Sequence, residues 1–153
     1  MALQLALAAA AILVAVSGAI ALAHVVRWPT AHGAAAIPAL RAQRDTRRYG
    51  LFLGIIEAGA LVALLVVLFK VPAGSTEMWL AGAAALCVAA MIGVWAAWLR
   101  PLNRTIAQWT PDTVPADWSR HHTGWSRYHR VRVVLAILAM ALVLMGLFAR
   151  PAI

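Results

Sequence analysis

Charged side chains occupy only 12% of this 153-residue sequence, against about 25% in a soluble domain. With 64% of the residues apolar, a globule in water would expose far more hydrocarbon than it could cover, so a water-soluble fold is excluded. Cysteine is almost missing as well. Cys87 is the single one, which rules out a disulfide within the chain and removes the thiol–disulfide membrane oxidoreductases, whose chemistry needs paired cysteines. No positively charged segment precedes the first apolar run. Although Ala21-Leu22-Ala23 resembles a cleavage site, the run is long enough to cross a bilayer, so an uncleaved helix is expected there. Spaced metal-ligand pairs such as His-x-x-His, Glu-x-x-His or Cys-x-x-Cys are absent, and so are internal repeats and low-complexity linkers. A single domain follows.

What is present is a set of apolar runs. Four spans are expected, at about 3–26, 50–68, 78–99 and 132–148, which predicts an all-α integral membrane four-helix bundle lodged in the lipid bilayer. Small residues recur at four-residue spacing in three of them: Ala15, Ala19 and Ala23, then Gly50, Gly54 and Ala58, then Ala85, Ala89, Gly93 and Ala97. Such stripes let helices approach closely, within one bundle or between copies in a homo-oligomer. Arg27 with Trp28 marks the end of the first span, and Trp95 and Trp98 stand near the end of the third. Between the first two spans the segment IPALRAQRDTRRYG predicts a short surface helix.

The formal net charge of +8 does not point to nucleic acid, because the basic residues sit between apolar spans. The connections after the first and third spans carry eleven of the thirteen lysines and arginines, leaving Lys70 and Arg150 for the other side. The positive-inside rule then places both long loops in the cytoplasm and both termini outside, as for a multi-pass protein of a bacterial-type inner membrane.

The longest polar stretch, Pro101 to Arg132, holds three of the seven tryptophans and three of the five histidines. From Asp117 a helix is expected, starting near Pro115, on which Trp118, His122, Trp125, His129 and Arg132 share one face. This predicts an amphipathic helical loop between the third and fourth spans. A tryptophan stripe of this kind commonly serves packing or interfacial anchoring; here Trp118 and Trp125 are also substrate-binding candidates. His121 and His122 read as surface residues, and His32 lies in a loop.

Glu57 is the one acidic side chain inside any span, roughly 10 Å along the helix from Gly50. Burying such a group against lipid costs about 2.5–3.5 kcal/mol on insertion scales, so it should face the bundle interior. By the expected topology His24, Glu57, Asn103, His129 and Arg132 lie at similar depth on four helices, and bundle sites are built from such inward-facing groups. Two chemistries fit. His24, Glu57 and His129 could ligate a transition metal, iron or copper, in a two-histidine, one-carboxylate arrangement. Alternatively no metal is used: a histidine or Glu57 acts as general base, with Arg132 and Asn103 stabilising the anion formed.

The elements Pro101-Leu102-Asn103 with Trp109, then Asp117-Trp118, then Trp125 with His129 and Arg132 resemble the anthrone-oxygenase-like family of small four-helix membrane proteins, whose bacterial members largely carry no assigned function. The resemblance implies a membrane enzyme that oxygenates a polycyclic phenolic anthrone to a quinone. The expected function is therefore oxidation of a hydrophobic, aromatic or phenolic small molecule at a polar site near the cytoplasmic side. Glu57, His129, Arg132 and Asn103 are the catalytic candidates. Two rivals stand beside it: a small proton-coupled multidrug-type exporter working through Glu57, and a non-catalytic structural membrane protein.

Overall fold

A computed structural model describes the backbone of residues 2–27 and 36–148, and the side chains of 3–26, Gly50 and 52–148. Trp28, His32, Arg150 and Pro151 lie outside the described residues, as do the side chains of Arg27, Arg41, Arg44, Arg47 and Arg48. The described chain is all helix and turn: α1 is Ala2–Arg27, α2 Ala36–Lys70, α3 Thr76–Val94, α4 Arg100–Ala107 and α5 Trp118–Phe148. A π-helical turn, Trp95–Leu99, joins α3 to α4. Four helical stretches are long and apolar enough to cross a membrane, namely Leu3–Val26, Phe52–Lys70, Thr76–Ala107 and Trp118–Phe148. The chain is thus a multi-pass membrane protein.

Three helices run past their apolar spans, each for a local reason. The expected surface helix before the second span is instead the first part of α2, continuous with the span; between Pro38 and Gly50 the segment is made of good helix formers with no breaker among them. Pro101 does not end the third helix. Its ring would clash with a carbonyl one turn back and it offers no N–H, but the preceding turn is widened, with the Arg100 N–H bonded to the Trp95 carbonyl, and the helix proceeds through α4. Such wide turns are a common way for a helix to absorb a disruption. At about 1.5 Å per residue, α5 is longer than a hydrocarbon core of roughly 30 Å. Its first turns, which carry His121, His122, Arg127 and Arg130, form the polar helical segment before the fourth span.

The turn between α2 and α3 is short and well capped. Gly74 takes a left-handed φ of 78°, and the Met78 N–H donates to the Ser75 hydroxyl at 3.2 Å, an N-cap bond. Around the bundle α1 packs against α2 and α5, and α3 against α2 and α5, closing a ring. The core along its axis includes Leu7, Ala10 and Val14 of α1, Leu64 and Val67 of α2, and Val88 of α3, opposite Ala139 and Val143 of α5. Large apolar side chains such as Phe52, Val62, Phe69 and Ile137 face outward, as lipid-exposed residues do.

The α1–α5 seam is the tightest at Gly18. A Cβ placed there would stand 3.1 Å from the Cβ of Ala136, an atom fixed to backbone that moves only if the helices part. Gly18→Leu is expected to lower stability in detergent by about 1–3 kcal/mol, the usual cost of overpacking. Gly93→Ala, where a Cβ meets nothing within 4 Å, should leave the unfolding midpoint unchanged or slightly raised. Thermal or denaturant unfolding followed by circular dichroism reads both.

Candidate functional site

Glu57 and Arg132 face each other across the ring, α2 to α5, and form a buried ion pair through Oε1 and Nη2. Only 3% of Glu57 and 1% of Arg132 is exposed. The same carboxylate oxygen accepts from the Ser17 hydroxyl of α1 at 2.7 Å, so three helices are tied at one point. An acid in this position is tolerable in an apolar bundle because its charge is matched and hydrogen-bonded at once. Arg132 is less completely satisfied. Its Nε and Nη1 have no hydrogen-bond partner among the described residues.

One turn nearer the start of α5, an aromatic stack forms. The His24 and His129 rings lie parallel, 7° apart in plane with centroids at 4.9 Å, and the Trp125 ring tilts onto His129 at 4.1 Å. The His24 Nδ1 donates to the Ile20 carbonyl at 2.5 Å. Since a carbonyl only accepts, the proton of a neutral His24 sits on Nδ1 and its Nε2 is the acceptor. Trp125 in turn donates from Nε1 to Asn103 Oδ1 at 3.0 Å, which fixes the indole plane and ties α5 to α4. His129 is 5% exposed, and its Nδ1 has no hydrogen-bond partner among the described residues.

These groups surround a cavity of about 440 Å³. His24, Asn103, Trp125, His129 and Arg132 line it, together with Gly50, Gly54 and Trp95. Glu57 is not among the lining residues: it stands behind Arg132, holding the guanidinium from the far side. Trp118 is not in the lining either, and packs on His122 with centroids 6.1 Å apart. His121 meets Trp109 edge to face, and Tyr128 stacks on Trp98, so that the polar connection is pinned to α5 and the end of the third helix. Ser17 carries no signal in the sequence beyond a hydroxyl in an otherwise apolar stretch of span, and Gly50 and Gly54 show there only the spacing of packing residues.

A model of the anthrone oxygenase family matches residues 44–142, more than half of the chain. The chain belongs to the anthrone oxygenase family. The match takes in Glu57, Asn103, Trp125, His129 and Arg132, whereas His24 and Ser17 fall outside it. Searches of curated proteins and of solved structures each return no match.

A metal finds no fitting donor set among the described residues. A metal bound to imidazole lies in the ring plane, about 2.0–2.1 Å from nitrogen for zinc, and two parallel stacked rings direct their lone pairs along separate planes that do not converge. The Glu57 oxygen is already engaged by Arg132 and Ser17. Among the described residues no group of three histidine, cysteine, aspartate or glutamate side chains is arranged to hold a metal ion. His24, Glu57 and His129 therefore do not fit the ligand set expected of them.

Removing one partner of the central pair isolates a buried charge. Glu57→Leu is expected to cost about 3–5 kcal/mol of stability, and the double variant Glu57→Leu/Arg132→Met to recover most of it, because an apolar pair needs no matching. Unfolding in detergent measures both, and equal losses in the single and double variants would refute this account of the pair.

Proposed function

We propose that this protein is a membrane oxygenase that oxidises a flat phenolic molecule of the anthrone type, with the cavity around His129 and Arg132 as its active site. The observation that carries the reading is that two buried side chains with unsatisfied nitrogens, His129 at Nδ1 and Arg132 at Nε and Nη1, stand in the wall of one cavity. A volume of about 440 Å³ falls in the range of roughly 300–1,000 Å³ typical of small-molecule sites. Family membership supports the reaction type.

The chemistry follows from the polar groups. In an anthrone, a methylene flanked by two aromatic rings is conjugated through them to a carbonyl, and loss of one proton gives an extended oxyanion. Neutral His129 takes that proton as general base. Arg132, held by Glu57, donates to the oxygen on which the charge appears, in a site where a fixed cation is worth more than in water. Trp125 and Trp95 offer aromatic surfaces against which a planar ring system lies. The electron-rich anion then reduces dioxygen directly: the methylene carbon becomes a carbonyl and the second oxygen atom leaves as water. All four electrons come from the substrate, so the balance closes without an external donor.

Exchange of a cationic drug at Glu57 is disfavoured by the Arg132 guanidinium beside it. For orientation, the distribution of arginines supports an inner-membrane protein with both termini outside, which sets the cavity near the cytoplasmic face.

With a dihydroxyanthrone as substrate, the purified protein should take up one dioxygen per molecule oxidised, faster than autoxidation in buffer, and label the new carbonyl from isotopic dioxygen. His129→Gln should lower kcat by about 10²–10⁴-fold, the usual contribution of a general base, while its melting profile stays near that of the parent. Uptake no faster than autoxidation, or an unaffected His129→Gln variant, would sink the proposal.

A further inference from the structure

The cavity is bounded on one side by the small-residue face of α2, and that side reaches the outer surface of the bundle. Gly54 and Ala58 are exposed although they line the cavity, and Ile55, also in its wall, is 64% exposed. All three belong to the apolar span Phe52–Lys70. Ala58 lies roughly 12 Å along the helix from Gly50, a depth at which the surroundings are hydrocarbon. Across the cavity from α2 stand Trp95 of the π-helical turn and Arg100, Asn103 and Arg104 of α4, and α2 packs only sparsely against α4. A Cβ built on Gly50 or on Gly54 meets nothing within 4 Å among the described residues, so neither glycine is filled by a neighbouring helix there. The space beside them is open, and it leads inward to Arg132 and His129.

We infer that the cavity opens sideways into the bilayer between α2 and the stretch of the third helix formed by the π-helical turn and α4, through a portal whose width is set by Gly50 and Gly54 and which admits a flat aromatic molecule carrying an oxygen for Arg132. The small-residue face has a second role beyond helix packing. At these two positions it removes side chains from a passage, and the buried unpartnered nitrogens at its inner end give the passage a destination. A planar phenol partitions into the bilayer readily, and a lateral route lets it travel edge-on between the helices, apolar rim in lipid, beside the Arg100 and Arg104 side chains that line the same cavity. Side-chain size at position 54 becomes a determinant of which ring systems enter. The inference deepens the proposed function and rests on it for the identity of the guest; the portal itself is tested without turnover.

The test uses the full chain in lipid vesicles and two photoactivated diazirines, one an apolar aryl diazirine that partitions into the bilayer and the other a charged, water-soluble analogue. Mass spectrometry then maps the labelled residues. Trp125 and His129, both buried, are expected to be labelled by the apolar probe and not by the charged one. Gly54→Trp should reduce that labelling roughly tenfold by filling the passage, with Gly54→Leu serving if the larger side chain prevents folding. Gly93→Trp, on the exposed face of α3 and away from the cavity, should leave it unchanged. Labelling by the charged probe alone, no labelling at all, or labelling indifferent to Gly54→Trp and Gly54→Leu would overturn the portal. Labelling as expected, in a protein that oxidises no anthrone, leaves the portal standing and removes the oxygenase.

Discussion

An arginine in the middle of an apolar bundle needs a counter-charge, and the ion pair between Arg132 and Glu57 is the constraint around which the rest of this structure is arranged. It joins α2 to α5, the helices that lie diagonally across the ring rather than side by side. That contact is possible only if the neighbouring helices come close enough to bring the diagonal within side-chain reach. Gly18 against Ala136 provides the approach on the α1–α5 seam, and the alanines at core positions provide it elsewhere. Ser17, one residue before that glycine, adds the third contact to the carboxylate.

The pairing also decides which groups remain available for chemistry. Glu57 engages both Arg132 and Ser17 through Oε1 and is not among the residues lining the cavity, so it holds the guanidinium in place. Arg132 keeps two nitrogens, Nε and Nη1, without a hydrogen-bond partner among the described residues. Asn103 and Trp125 play a comparable part for His129: the indole, fixed by the amide, lies against the imidazole and limits its rotation. A rigid, dry site of this kind suits a reaction whose demands are a base, a cation and a shaped space.

Much of this was legible in the sequence, and the boundary between what was and what was not has a physical origin. Four spans follow from hydropathy over windows of about twenty residues, and the inward orientation of Glu57 follows from the cost of leaving an acid in lipid. The gathering of His24, Asn103, His129 and Arg132 at one end follows from counting turns from the helix ends. The identity of Glu57's partners does not follow. Seventy-five residues separate Glu57 from Arg132, and rotation of each helix about its axis is set by packing that no local pattern records. The π-helical turn ahead of Pro101 was likewise unreadable, since a proline signals a break and only the tertiary setting makes a widened turn preferable. The parallel stacking of His24 on His129 belongs to the same class: two imidazoles at equal depth are compatible with a shared metal or with a stack, and ring orientation separates the two.

The same geometry explains why one face of α2 can be both glycine-rich and loosely packed. In a bundle held only by close apposition, Gly50 and Gly54 would be filled by a neighbour, as Gly18 is by Ala136. Here the diagonal ion pair fixes the spacing of α2 and α5 independently, and the π-helical turn and α4 need not close on α2 at the level of the cavity. A polar clasp at the centre thereby permits a gap at the side without loss of the ring. The gap stands where the wall of α2 is apolar outside and Arg132 and His129, with their unsatisfied nitrogens, stand in the cavity wall, which is the arrangement required for a guest that is greasy in body and polar at one atom.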